Sequence, residues 1–279
     1  MTKRKKIKKK FRKKIDLFIW ILLTIIFLSI LFISLTKIIL WKLDSNKTIK
    51  QANEINEITK IEEIKDNNKT ELINPPNNLN SDYWYYVKIP LINVNFTDLK
   101  KKNNETVAWI NVNNTNINYP VVQTNNNDFY LNHSFNKEYN EAGWVFLDYR
   151  NNKNFTDKNT IIYAHSRLDK TMFGSLIKTL NENWYKNKDN HIIRISNEYE
   201  NSLWQIFSIY IIETESYYIT TGFNSNVDYQ NFLDTLSKRS KYDFNTSINT
   251  NDKILTLSTC YDENRKTVVH AKLLKKELK

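Results

Sequence analysis

The sequence predicts a mainly β fold, a closed or strongly curled β-barrel with helices on its rim, preceded by an N-terminal transmembrane helix. Three observations predict it. Residues 17–41 form one long apolar run. Seven short runs between residues 119 and 274, rich in β-branched and aromatic residues and separated by Asn-rich turns, read as strands. Helical spacing of apolar residues recurs at only a few scattered places beyond residue 80.

The N-terminus explains the charge. The chain has 279 residues and a formal net charge of +11. An excess of that size suggests nucleic acid until its position is read. Residues 1–16 hold ten Lys and Arg against one acid, Asp16, which leaves 31 basic and 29 acidic residues for the other 263. The excess is therefore a cytoplasmic tail, not a basic face, and no nucleic-acid partner is expected. With only 3 Gly and 4 Pro, collagen-like and Gly/Pro-rich disordered classes are excluded.

Residues 17–41 carry a single charge, Lys37. About 20 apolar residues cross a bilayer core as a helix. Trp20 and Trp41 lie towards the ends, where amphipathic aromatics favour the interface, and Lys37 is near enough to one end to snorkel. A cleaved signal peptide is the competing reading, but it has a shorter apolar region and a small-residue cleavage site. Residues 35–45 offer no clear one, so an uncleaved anchor is preferred. The positive-inside rule keeps residues 1–16 in the cytoplasm and puts residues 42–279 outside, a single-pass cell-membrane topology.

Residues 42–80 read as a partly helical stalk or linker. Ile49, Ala52, Ile55, Ile58, Ile61 and Ile64 recur at every third position, tighter than helical spacing, and Pro75-Pro76 stops any helix. A β-rich domain is expected over 81–279, the part that carries the candidate chemistry described below. Its strands are read at 119–123, 144–148, 160–164, 191–196, 203–213, 253–259 and 267–274. Its helices are read at 96–101, at 171–180 from Met172, Phe173, Leu176, Ile177 and Leu180, and around Tyr229, Phe232, Leu233 and Leu236.

The one cysteine, Cys260, excludes an internal disulfide framework and cysteine-cluster metal sites. It closes the apolar run Ile254-Leu255-Thr256-Leu257-Ser258-Thr259 and so stands at the carboxyl end of a buried strand. As a thiolate it would be a nucleophile; the alternative is a buried structural cysteine. His165 similarly closes Ile161-Ile162-Tyr163-Ala164. Among the other histidines, His133 and His191 read as surface residues and His270 as a packing residue of the last strand. His165 is the candidate for proton transfer to a leaving amine. Arg265, five residues after Cys260, is the candidate cation for an oxyanion. Ser258 shares a strand face with Cys260 and is a candidate to line a substrate groove, or simply fills the strand; Tyr261 is a weaker candidate.

These pieces resemble the class B sortases, membrane-anchored cysteine transpeptidases of Gram-positive-type bacteria. Thr256-Leu257-Ser258-Thr259-Cys260 fits that family's TLxTC strand, and Ile162-Tyr163-Ala164-His165 its histidine strand. Val107-Ala108-Trp109-Ile110, residues 115–123, residues 146–151 and Lys170-Thr171-Met172-Phe173 are also similar to it. The resemblance covers residues 96–274. It implies a sortase-like barrel with a Cys–His–Arg site. The implied reaction cleaves a C-terminal sorting signal of secreted proteins, of Asn-Pro-x-Thr or Ser/Asn-Pro-x-Thr type, through a thioacyl enzyme. The acyl group then passes to an amine of a peptidoglycan precursor or stem peptide. No cofactor or metal is implied.

One departure stands out. Counting back from Val268-Val269, the position of the family's arginine holds Lys266, with Arg265 one residue earlier. A one-residue shift turns a strand side chain to the other face. Arg265 is preferred because a guanidinium suits carbonyl and oxyanion recognition. Two other functions compete: a hydrolytic cysteine protease, and a membrane-tethered binding module with impaired catalysis.

Overall fold

The computed structural model describes residues 3–261 and 264–279, without the side chains of residues 3–13 and Cys260. Helix α1 spans Lys3–Ile58; residues up to Lys47 form one compact unit and residues from Thr48 to Lys279 a second. Within α1, Lys14–Ile58 is long and apolar enough to cross a membrane. Three hydroxyls of the apolar stretch are satisfied within the helix. Thr24, Ser29 and Thr36 donate to the carbonyls of Trp20, Ile25 and Phe32 at 2.8–2.9 Å. A helix entering lipid must pair its polar groups internally, and these bonds do so.

The second unit continues with β1 (Ile61–Ile64), β2 (Thr70–Leu72), α2 (Tyr83–Tyr86), β3 (Leu91–Val94), α3 (Thr97–Lys102), β4 (Thr106–Val112) and β5 (Asn118–Val122). Then come β6 (Phe146–Leu147), β7 (Asn159–Tyr163), α4 (Glu182–Tyr185), β8 (Ile192–Asn197), β9 (Glu200–Glu213), α5 (Asn226–Lys238), β10 (Ile254–Cys260) and β11 (Arg265–Leu278). Among the described residues, strands in the order β10-β7-β6-β5-β4-β8-β9-β11 close back onto β10 as an eight-stranded barrel. Closure removes the free edges that an open sheet exposes. β2 adds to the outside of β11, and β1 pairs with β3. The barrel predicted from the sequence is the one observed.

Strand alternation separates two cores. Leu255 and Leu257 of β10 point into the barrel with Trp109, Trp204 and Val269. Ile254 on the other face joins Val268, Phe207 and Tyr210 beneath α5. Each fully buried Leu or Ile contributes about 1.5–3 kcal/mol. Three of the indole N–H groups inside are paired: Trp109 with Asn118 Oδ1 at 2.8 Å, Trp144 with the Pro120 carbonyl at 3.0 Å, Trp204 with Ser202 Oγ at 2.9 Å. α5 forms where the apolar spacing predicts a helix. Ser225 caps its start by accepting from the Asp228 amide, and Tyr229, Phe232, Leu233 and Leu236 make its buried stripe.

Two expected helices differ. The periodic stalk helix ends at Ile58; Ile61 and Ile64 instead lie on β1, paired in register with Val94 and Leu91. Tertiary pairing with β3 outweighs a stripe that drifts around a helix axis. The unit therefore reaches back to Thr48, and the boundary expected at 81 lies inside it. Over 171–180 there is only a short 3-10 helix, Leu176–Leu180. Lys170 and Met172 have φ of +64° and +51°, which no α-helix accommodates. Four strands, β1 to β4, complete the sheets beyond those that alternation predicts.

Candidate active site

The site is made by a parallel pairing. β7 and β10 lie side by side in parallel, with Tyr163 opposite Ser258. Both chains leave the barrel at the same end, so His165 and Cys260 each follow two residues after that matched pair. The 95 residues between them in sequence say nothing of this proximity. The backbone of Cys260 pairs with Lys266 of β11, and its side chain lies outside the described residues.

A pocket of about 300 Å³ opens at these strand ends. One wall carries Tyr163, Ala164 and His165 from β7 and its exit loop. The floor carries Ser258 and Thr259 of β10 and Lys266 of β11. The opposite wall comes from the segment after β9, through Thr214, Glu215, Tyr218 and Ile219. Asn127, Asp128 and Leu131 border it on the histidine side. The lining is largely apolar with a few polar groups, the usual make-up of a site that takes a short peptide.

His165 is half-buried, and its Nε2 lies 2.6 Å from the Leu131 carbonyl oxygen. A carbonyl only accepts, so Nε2 carries the hydrogen of this bond. The loop behind it is tightly tied. The Phe173 amide donates to the His165 carbonyl at 3.0 Å. Met172, in its left-handed conformation, donates its amide to the Tyr119 hydroxyl at 3.2 Å. Burial pushes the Tyr119 hydroxyl up to about 12, so it stays protonated. Gly174 packs its Cα onto the Arg167 carbonyl, where a Cβ would collide with backbone. Gly174→Ala is therefore expected to cost about 1–3 kcal/mol. Denaturant unfolding of the two proteins measures it, and turnover should fall as the His165 loop shifts.

Ser258 is buried in the pocket, and its hydroxyl bonds the Tyr218 hydroxyl at 3.0 Å. The side chain preferred for the oxyanion, Arg265, is not on the pocket wall. It is exposed, 4.8 Å above the Tyr261 ring, while the Tyr261 amide donates to the Arg265 carbonyl at 2.8 Å. Lys266 shares a strand face with Val268, the partner of Ser258, and lines the pocket. Strand parity, not the donor chemistry of a guanidinium, decides which cation reaches the floor. Tyr261 likewise lies outside the lining.

Behind the wall, Asp148 is buried and accepts from Arg150 at 2.7 and 2.9 Å and from the Tyr163 hydroxyl at 3.0 Å. Burial raises its carboxyl, but these hydrogen bonds and the Arg150 charge outweigh that and hold it below the usual carboxylate range.

The other histidines are structural. His133 stacks on Phe129. His191, expected at the surface, is buried, with Nδ1 2.8 Å from the Tyr86 hydroxyl and Nε2 2.7 Å from the Tyr185 carbonyl. His270 is enclosed, and burial pushes it down to about 3, so it is neutral. The sequence reading missed the wall residues Thr214, Tyr218 and Ile219; they sit in an irregular segment with no periodicity to mark them.

Comparison with known proteins agrees with this geometry. A sortase domain family model matches residues 110–274. Sortase B of Listeria monocytogenes is 38% identical over 188 residues, covering 64% of this chain and 74% of that protein. Among solved structures, sortase B from Bacillus anthracis superposes with a TM-score of 0.66 at 32% identity, over 84% of this chain and 99% of that one. The Staphylococcus aureus sortase B–substrate complex superposes with a TM-score of 0.61 at 38% identity, over 64% and 84%.

Proposed function

Because the chain belongs to the sortase family, and is with its class B relatives a cysteine transpeptidase that anchors proteins to the cell wall, we propose that the pocket between β7, β10 and the segment after β9 is its transpeptidation centre, with Cys260 as nucleophile, His165 as proton carrier and Lys266 as the oxyanion cation. The observation that carries this reading is the parallel β7–β10 register, which puts the His165 and Cys260 strand ends side by side at the pocket.

The thiolate of Cys260 attacks the carbonyl of the last motif residue, a Thr, in a sorting peptide of Asn-Pro-x-Thr type. The tetrahedral oxyanion gains hydrogen bonds from Lys266 and from backbone N–H groups after the nucleophile. As the C–N bond breaks, His165 gives its proton to the departing amine, leaving a thioester. A cell-wall amine then attacks the thioester, His165 takes its proton, and the thiolate leaves. The product is an amide joining the secreted protein to a peptidoglycan stem peptide or its precursor. Ser258 lines the floor that receives the motif.

The anchor completes the arrangement. Residues 1–16 stay in the cytoplasm, residues 17–41 cross the membrane once, and the catalytic unit works outside, where its two substrates meet. The test is a panel of sorting peptides given to the full chain in detergent, with and without amine acceptors. Cleavage that yields an amine-linked product supports a transpeptidase; cleavage indifferent to the amine would make the protein a hydrolase.

What supports Lys266 over Arg265 is its place opposite Cys260 in the ladder and on the pocket floor. Lys266→Ala is expected to lower kcat/KM about 10²–10³-fold, the usual worth of an oxyanion donor. Arg265→Ala is expected to change it by no more than about threefold, as for an exposed surface charge. The reverse pattern in steady-state kinetics would return the role to Arg265.

A further inference from the structure

The Tyr218–Thr220 stretch of the pocket wall after β9 is held to the barrel by side chains rather than by strand pairing. Three successive carbonyls, those of Tyr218, Ile219 and Thr220, each accept from a side chain outside the segment. Asn159 Nδ2 donates to the Tyr218 carbonyl at 3.2 Å and to the Thr220 carbonyl at 2.9 Å. Arg150 Nη2 donates to the Ile219 carbonyl between them at 3.1 Å. Tyr218 and Ile219 themselves face the pocket.

We propose that Asn159 and Arg150 are positioning residues for peptide binding, setting the distance of the Tyr218–Ile219 wall from the pocket floor without touching the substrate. The inference rests on the reading that this pocket receives the sorting peptide.

The orientation of Asn159 is determined by a directed chain of hydrogen bonds. Two carbonyls require its Nδ2 to face the wall, so its Oδ1 must accept, and Thr256 Oγ1 donates to it at 2.7 Å. Having given its one hydrogen, Thr256 can only accept from His270 Nδ1, 2.8 Å away. The neutral His270 then accepts at Nε2 from the Tyr210 hydroxyl, also at 2.8 Å. All four groups are buried, so reversing any link would leave unpaired polar atoms away from water. Arg150 is fixed differently, by two bonds to buried Asp148, which also accepts from Tyr163 on the facing wall. The two anchors therefore brace both sides of the pocket from behind.

The test uses the full chain and two variants. Asn159→Asp keeps the shape but turns an oxygen towards two carbonyls. Arg150→Lys keeps the charge beside Asp148 but shortens the reach to Ile219, and its half-exposed position makes it the safer variant for folding. Each is expected to raise KM for the sorting peptide about tenfold, the worth of a lost hydrogen bond to the wall, with kcat little changed. Alkylation of Cys260 by iodoacetamide should keep its rate and pH profile. An unchanged KM in a folded variant overturns the proposal. So does a fall in kcat together with slower alkylation, since the anchors would then act on the reacting groups instead of the wall. If Asn159→Asp does not fold, Arg150→Lys decides alone. Failure of the underlying reading looks different: the unmodified protein would show no saturable cleavage of any sorting peptide.

Discussion

Cys260→Ala is expected to abolish the acyl-enzyme and reduce peptide cleavage by about 10⁴-fold or more, because no other group of the site can form the thioester. Intact-mass spectrometry after mixing with a sorting peptide reads this directly. The unmodified chain should gain the mass of the acyl fragment, released by added amine, and the variant should gain nothing. Acylation that persists in Cys260→Ala would place the nucleophile elsewhere. The same variant should keep its melting temperature to within a few degrees, since it removes a single sulfur atom at a strand end.

His165→Ala is expected to lower kcat/KM by about 10²–10⁴-fold, the usual contribution of a positioned acid–base group. Both halves of the reaction should suffer, because the group that protonates the leaving amine also deprotonates the incoming one. Added imidazole should restore part of the rate by entering the space left on the pocket wall. A single-turnover experiment separates the halves. If acylation slows and amine transfer does not, His165 serves only the first step and another base serves the second.

Much of the fold was legible in one dimension. The seven predicted strand runs correspond to β5 through β11, with ends shifted by a few residues. The α5 stripe of Tyr229, Phe232, Leu233 and Leu236 is the buried one. These elements are marked by local periodicity, which survives in the sequence because each buries one face. His165 and Ser258 were legible too, since a strand that ends in a reactive or polar residue is a local pattern. The His165 loop was not: Met172 and Phe173 have helical spacing, yet Lys170 and Met172 adopt positive φ under the pull of Tyr119 and the His165 carbonyl. His191 was misjudged because its polar flank hid two partners, Tyr86 and Tyr185. Asn159 left no signal, and Arg150 only its place in the family-like stretch 146–151, because their role depends on carbonyls some 60 to 70 residues away.

By itself the sequence determined the charge-flanked apolar segment, the strands and the strand-end residues, because bilayer thickness, strand pleat and helix pitch each impose a period that neighbouring residues must satisfy. Only the tertiary structure decided which strand ends meet and which cation lines the pocket beside them. The parallel β7–β10 contact joins segments about 95 residues apart, and no local pattern encodes a contact at that range. Likewise the choice of Lys266 over Arg265 for the pocket floor is a matter of ladder register. A shift of one residue reverses the face of every side chain, and that shift is settled by pairing, not by composition.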